Sequence, residues 1–343
     1  MINVDRRGLL LAGAGGLIGA SAIAASSATA DYRSPDALYA AFRQQPATTI
    51  AIDGGKITVV FADGAPGLDR SRVLTWIKRC ARAVATYFGR WPVANYGLLV
   101  LAEPGRHVGH ATTFGYAGSV TRIGVGTGAG DAAFADDWVL VHEMFHAAVP
   151  NLPRRALWLQ EGNATWLEPV ARAAAGQLPV AEVWRQAVVG MPTGEPRLDD
   201  DGMDGTTEHD RLYWGGATFW LRAEIAILEQ SNGRQTLCDA MRAINRASGG
   251  NSVEWTPERL MATGDSATGT TALASLYAAF AAHPTPTDLP ALFARLGVRI
   301  GAEGAVMFDD SAPLAAIRRR ITVTTAAPEA DDLTRPSVGG KER

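Results

Sequence analysis

The chain has 343 residues, 47% hydrophobic and 20% charged, which is enough apolar material for a full core in one large or two closely packed domains. Its formal net charge is −3, from 32 basic and 35 acidic residues, and it has no long Lys/Arg cluster, so there is no electrostatic case for nucleic acid. After residue 30 no apolar run is long enough to span a bilayer.

At the N-terminus, Asp5-Arg6-Arg7 opens an apolar, Gly/Ala-rich run to about Ala25, and Ala28-Thr29-Ala30 reads as an A-x-A cleavage site. Paired arginines before a mildly apolar stretch are similar to a twin-arginine export signal. Residues 1–30 are therefore predicted to be a signal peptide, with an exported, periplasmic protein starting at Asp31 and no stable membrane span after cleavage. An uncleaved anchor is the alternative, but the run is short for a span.

Ser34-Pro35 predicts a helix to residue 44, with Pro at its first position. Strands follow at 48–52 and 56–61, joined through Asp53-Gly54-Gly55 as a hairpin. Helical periodicity over 69–88 ends at Gly89, and 96–101 reads as an apolar strand. Residues 119–125 are predicted to be an edge strand. The Gly-rich 124–130 stretch lacks the order strand, GxGxxG, helix and the P-loop Lys, so it reads as a flexible turn. Helices are then predicted at 136–149, 156–175 with Pro169 as a kink, 181–188, 212–230 and 235–246, with shorter ones at 257–262, 272–282 and 289–296. This divides the chain into an α/β part over 31–135, a helical part over 136–321 and a polar, disordered tail over 322–343.

The chemistry lies in His142-Glu143-Met144-Phe145-His146, followed after fourteen residues by Glu161. Two histidines four apart on a helix point to one side and can reach one Zn²⁺ at roughly 2.0–2.1 Å each. Glu161, on a second apolar helix, supplies a third ligand if that helix packs on the first. Three protein ligands leave a position open for water, which marks a catalytic zinc, one per chain. Glu143, beside the first ligand, sits where a base must stand to take a proton from that water. The apolar flanks Trp138-Val139-Leu140-Val141 and Ala147-Ala148-Val149 predict a buried helix, unlike a surface helix with two solvated histidines. Thr165, one turn after Glu161, either bonds a ligand histidine from behind or simply packs between the helices.

HExxH followed by Trp158-Leu159-Gln160-Glu161-Gly162-Asn163-Ala164 resembles the gluzincins, the metallopeptidase group of thermolysin and the glycyl and membrane-alanyl aminopeptidases. The resemblance implies an α+β, thermolysin-like fold, with a small mixed sheet and its edge strand in the front half and a mainly helical back half. It implies zinc on His142, His146 and Glu161, Glu143 as the base, and Tyr213 of Tyr213-Trp214-Gly215-Gly216-Ala217 as the oxyanion donor. The run Phe219-Trp220-Leu221-Arg222-Ala223-Glu224-Ile225 is most similar to the glycyl aminopeptidase branch. The connection from His146 to Glu161 is shorter than in the membrane-alanyl branch, and no G-x-M-E-N motif is present. That motif anchors a substrate amine, so an endo- or oligopeptidase is slightly favoured over an aminopeptidase. The substrate is expected to be a peptide or protein, and the oligomeric state stays open. A zinc-bearing binding or assembly protein without turnover is the alternative, and Glu143, which zinc binding alone does not require, argues against it.

Other candidates read more plainly. Cys80 and Cys238 are expected to be two buried free thiols, with pairing left open. Asp199, Asp200, Asp201 and Asp204 form either a solvated acidic loop, the commoner case, or a calcium site. His209, four residues before Tyr213, is expected at the surface or assisting the tyrosine; His107 and His110 are expected in an exposed loop, and His283 at a helix end.

Overall fold

The structure, a computed structural model, describes residues 31–322 apart from Leu198. The expected signal peptide, with Arg6, Arg7 and the 28–30 cleavage site, and the expected tail beyond Thr322 lie outside the described residues.

Helix α1 (Pro35–Gln44) leads into strands β1 (Ala47–Ile52) and β2 (Gly55–Phe61). Ile52 faces Gly55 across a two-residue turn, one residue tighter than the predicted Asp53-Gly54-Gly55, and Gly54 there has φ 92°, a conformation glycine adopts without strain. Helix α2 (Arg70–Phe88) starts where the Asp69 side chain accepts from the Arg72 amide and stops at left-handed Gly89. Strands β3 (Asn95–Glu103), β4 (Val108–Phe114) and β5 (Ser119–Gly126) complete a five-stranded sheet in the order β1-β2-β3-β5-β4. Strands β2, β3 and β5 run parallel, while β1 and β4 pair antiparallel at the two ends.

Alternation along the strands gives the sheet two buried faces. Ile57, Val59, Tyr96, Leu98, Val100, Ile123 and Val125 join the main core, whereas Val60, Leu99 and Val120 pack with Leu38 and Ala41 of α1. Residues 119–125 are therefore not an edge strand. They lie inside the sheet between β3 and β4, and all but Arg122 of β5 are buried. The edge on that side is β4, whose sequence Val-Gly-His-Ala-Thr-Thr-Phe lacks apolar alternation because none of its residues is fully buried and a register shift follows Val108. Gly124 and Gly126 likewise belong to a strand, and the turn comes after them.

A short helix that was not predicted, α3 (Asp131–Asp136), precedes α4 (Val139–Ala148), which is the helix expected over 136–149 with its start three residues later. Asp137 is extended, and its carboxylate accepts from the amides of Val139 at 3.0 Å and Leu140 at 3.3 Å, and from Trp76 Nε1 at 3.0 Å. A buried side chain thus sets the start of α4, which periodicity across the break conceals. Helix α5 (Leu157–Ala174) runs through Pro169, and α6 (Val180–Gly190) follows. A π-helical turn, Arg211–Gly215, opens α7 (Gly216–Gln230). Helices α8 (Leu237–Ser248), α9 (Pro257–Thr268), α10 (Ala272–Ala282) and α11 (Leu289–Leu296) match the remaining expectations, α9 running longer. The hairpin β6 (Val298–Ile300) and β7 (Val306–Phe308) and the helix α12 (Ala315–Thr322) were not legible in the sequence. Together these elements make a mixed α/β architecture, a five-stranded sheet with a mostly helical remainder. Among the described residues no helix is long and apolar enough to cross a membrane.

Candidate metal centre

Helix α4 is nearly all apolar, and it packs against the edge strand β4, α2 and α5. Its chemistry-bearing side chains therefore leave water only by finding partners. His142, 4% exposed, and His146 follow each other by one turn, with ring centroids 4.8 Å apart. Helix α5 brings Glu161 between them: its Oε2 lies 3.2 Å from His142 Nε2 and 3.4 Å from His146 Nε2. Among the described residues this trio is the one group of three potential metal ligands, with all three ligand atoms within 4.8 Å of one another.

Close packing sets this arrangement. A Cβ on Gly162, next to Glu161, would stand 2.2 Å from the backbone of Gly216, and one on Gly216 would stand 2.3 Å from the Trp158 carbonyl. Helices α5 and α7 therefore cross backbone to backbone, and the crossing brings the π-helical turn and Tyr213 over the site. The Tyr213 ring stacks on His142 at 5.7 Å and 11° and on His209 at 4.4 Å and 15°. His209 is exposed, as expected, and also buttresses the tyrosine.

The electrostatics suit a cation. Burial opposes charge on both His146 and Glu161. The Glu161 carboxylate nevertheless raises His146 to about 9, with help from Glu143, and the two imidazoles hold Glu161 well below the carboxylate range. The pocket thus gathers positive charge at one carboxylate oxygen, where a divalent ion would replace a proton. Two imidazole nitrogens and one carboxylate oxygen form a donor set that fits zinc with a position left over. Burial, the charge of Glu161 and a hydrogen bond to it hold the Tyr213 phenol well above its usual value, so it keeps its proton as a donor.

Glu143 is buried on α4 and is not one of the trio. Its Oε2 accepts a 2.6 Å hydrogen bond from Thr113 Oγ1 on β4, a partner that no sequence signal announces because it depends on how α4 sits against the edge strand. Thr165 Oγ1 and His142 Nδ1 are both buried without hydrogen-bond partners, so the structure does not pair them.

The remaining candidates lie elsewhere. Asp204 accepts from Arg155, Trp158 Nε1 and Tyr277, and Asp200 pairs with Arg211, so guanidinium groups engage two of the four acids of that loop. His107 and His110 are exposed, the latter on β4, and His283 follows α10. Cys80 and Cys238 are buried and free.

No protein-family model matches the chain, and no curated protein does. Among solved structures it is similar to an aminopeptidase N family protein from Idiomarina loihiensis, with 13% identity and a TM-score of 0.53 over 78% of this chain and 53% of that one. It is also similar to an M1 zinc metallopeptidase from Deinococcus radiodurans, at 15% identity and a TM-score of 0.45 over 71% of this chain and 53% of that one. A mutant M1 zinc metallopeptidase from the same organism, with a Tyr-Ser-Ala substrate bound, matches at 16% identity and a TM-score of 0.43 over 71% and 53%. The chain spans about half the length of these structures. At such identities the first likeness bears on the fold alone, a peptidase-like architecture at a coarse level.

Proposed function

We propose that the chain is a zinc metallopeptidase of gluzincin type that hydrolyses peptide bonds. The observation that carries this reading is the convergence of His142, His146 and Glu161 beside a buried, non-ligand Glu143. When bound by that trio, zinc supplies Lewis acidity and lowers the pKa of water toward about 7. Glu143 takes a proton from the attacking water and returns it to the leaving amine. Tyr213, kept protonated and stacked against His142, donates to the oxyanion that forms on the scissile carbonyl. Strand β4, which ends the sheet beside α4, offers free backbone groups along which an extended peptide can pair.

Incubating zinc-loaded protein with a random peptide library and reading products by mass spectrometry tests this directly. Internal cleavage is the expected pattern, in keeping with the missing amine-anchoring motif, whereas stepwise loss of N-terminal residues would make it an aminopeptidase. No cleavage at all would refute the peptidase reading. In the same assay Tyr213→Phe is expected to lower kcat by about 10²–10³-fold with zinc retained; an unchanged kcat would remove Tyr213 from the mechanism.

We place the enzyme outside the cytoplasm because of Arg6 and Arg7 before the apolar run. Changing both to Lys is expected to leave precursor inside the cell, and normal secretion of that double variant would overturn the export route.

A further inference from the structure

A line of hydroxyl groups runs from the middle of the sheet to Glu143. Thr121 of β5 pairs in register with Thr113 of β4, so their side chains share the face on which α4 lies. Tyr96 OH lies 2.5 Å from Thr121 Oγ1, Thr121 Oγ1 lies 2.6 Å from Thr113 Oγ1, and Thr113 Oγ1 lies 2.6 Å from Glu143 Oε2. Tyr96 and Thr121 are 1% and 0% exposed, so water does not compete for the bond between them, and Thr113 is half-buried.

Proton counting gives the line a direction. Thr113 Oγ1 donates to Glu143 Oε2, which commits its single proton to that carboxyl oxygen. The Glu143 carbonyl, at 3.2 Å, is the longer and uncharged competitor for that proton and loses it to the carboxylate. With its own proton committed, Thr113 accepts from Thr121, and Thr121 then accepts from Tyr96. Burial above all holds the Tyr96 phenol well above its usual value, so the last donor stays protonated. Every hydroxyl in the line therefore points toward one oxygen of one carboxylate.

We propose that Thr113 is a positioning residue that holds Glu143 by Oε2, backed by Thr121 and Tyr96, and leaves Oε1 as the oxygen that exchanges protons with substrate. The assignment of Oε1 rests on the peptidase reading, while the bond to Thr113 does not. Thr113→Val keeps the branched shape and removes the hydroxyl. It is expected to lower kcat by about 10–100-fold, the cost of a misplaced group, with KM and zinc content close to wild type. Thr113→Ser keeps the hydroxyl and recovers most of the rate, and Tyr96→Phe, farther along the line, lowers kcat less than Thr113→Val.

A readout independent of turnover comes from metal-free protein. The shifts in urea midpoint caused by Thr113→Val and Glu143→Ala are expected to be non-additive in the double variant, because each removes the same bond. Wild-type kcat in Thr113→Val, equal impairment of the Ser and Val variants, or additive midpoints would each overturn the proposal. If wild type cleaves no peptide, the peptidase reading falls and the midpoints alone decide: non-additive shifts support the hold on Glu143, and additive ones overturn it.

Discussion

Glu143→Gln is expected to lower peptide hydrolysis by about 10²–10⁴-fold, the contribution of a positioned general base, while zinc content and fold survive. The substitution keeps the length of the side chain and an oxygen that can still accept from Thr113 Oγ1, now 2.6 Å from Glu143 Oε2. It removes the basicity. Because the proposed ligand trio is His142, His146 and Glu161, nothing proposed to hold the metal is touched. The buried setting sharpens the contrast, since the partner at its Oε2 is a threonine hydroxyl, which cannot take over the role of a base. Zinc measured by elemental analysis and kcat measured on a cleaved peptide decide the matter together. A variant as active as wild type would show that Glu143 is not the base, and a variant that loses zinc would show that it helps hold the metal.

What the sequence reveals of this site follows the range of the forces involved. The spacing of His142 and His146 is fixed by helix geometry, so their common side could be read without tertiary structure. The stop at Gly89 and the hairpin at Gly54 are equally local, and the structure has both of them. Thr113 and Thr121 are different. Neither carries a motif, and they meet because β4 returns antiparallel along β5, a pairing set by sheet order. The same order moved the edge from residues 119–125 to β4, since a strand's hydrophobicity reports its burial and not which neighbours bury it. The start of α4 was hidden for a related reason. The expected start at residue 136 falls three residues early, and only the amide and Trp76 partners of Asp137 show where α4 begins. Gly162 and Gly216 read as ordinary helix residues until the crossing of α5 over α7 leaves no room for a Cβ at either.

Removing a ligand should have the complementary effect to Glu143→Gln. His142→Ala and Glu161→Ala are each expected to leave the dialysed protein with little or no zinc and peptide cleavage at background. Losing an outer partner of a ligand costs about 10–100-fold in metal affinity, and losing one of three direct donors should cost more. The geometry makes Glu161 the more sensitive position. Its Oε2 lies 3.2 Å from His142 Nε2 and 3.4 Å from His146 Nε2, so its loss leaves two imidazoles facing each other without the charge that draws a cation between them. His142→Ala leaves His146 and Glu161 as a pair, and it also removes the ring on which Tyr213 stacks. Both variants should stay folded, because the apolar flanks of α4 and the glycine crossing of α5 with α7 do not depend on the ligands. Circular dichroism checks that condition, and elemental analysis after dialysis reads the result. Full zinc occupancy in folded Glu161→Ala would exclude Glu161 as a ligand, and full occupancy in both variants would move the metal centre elsewhere in the protein.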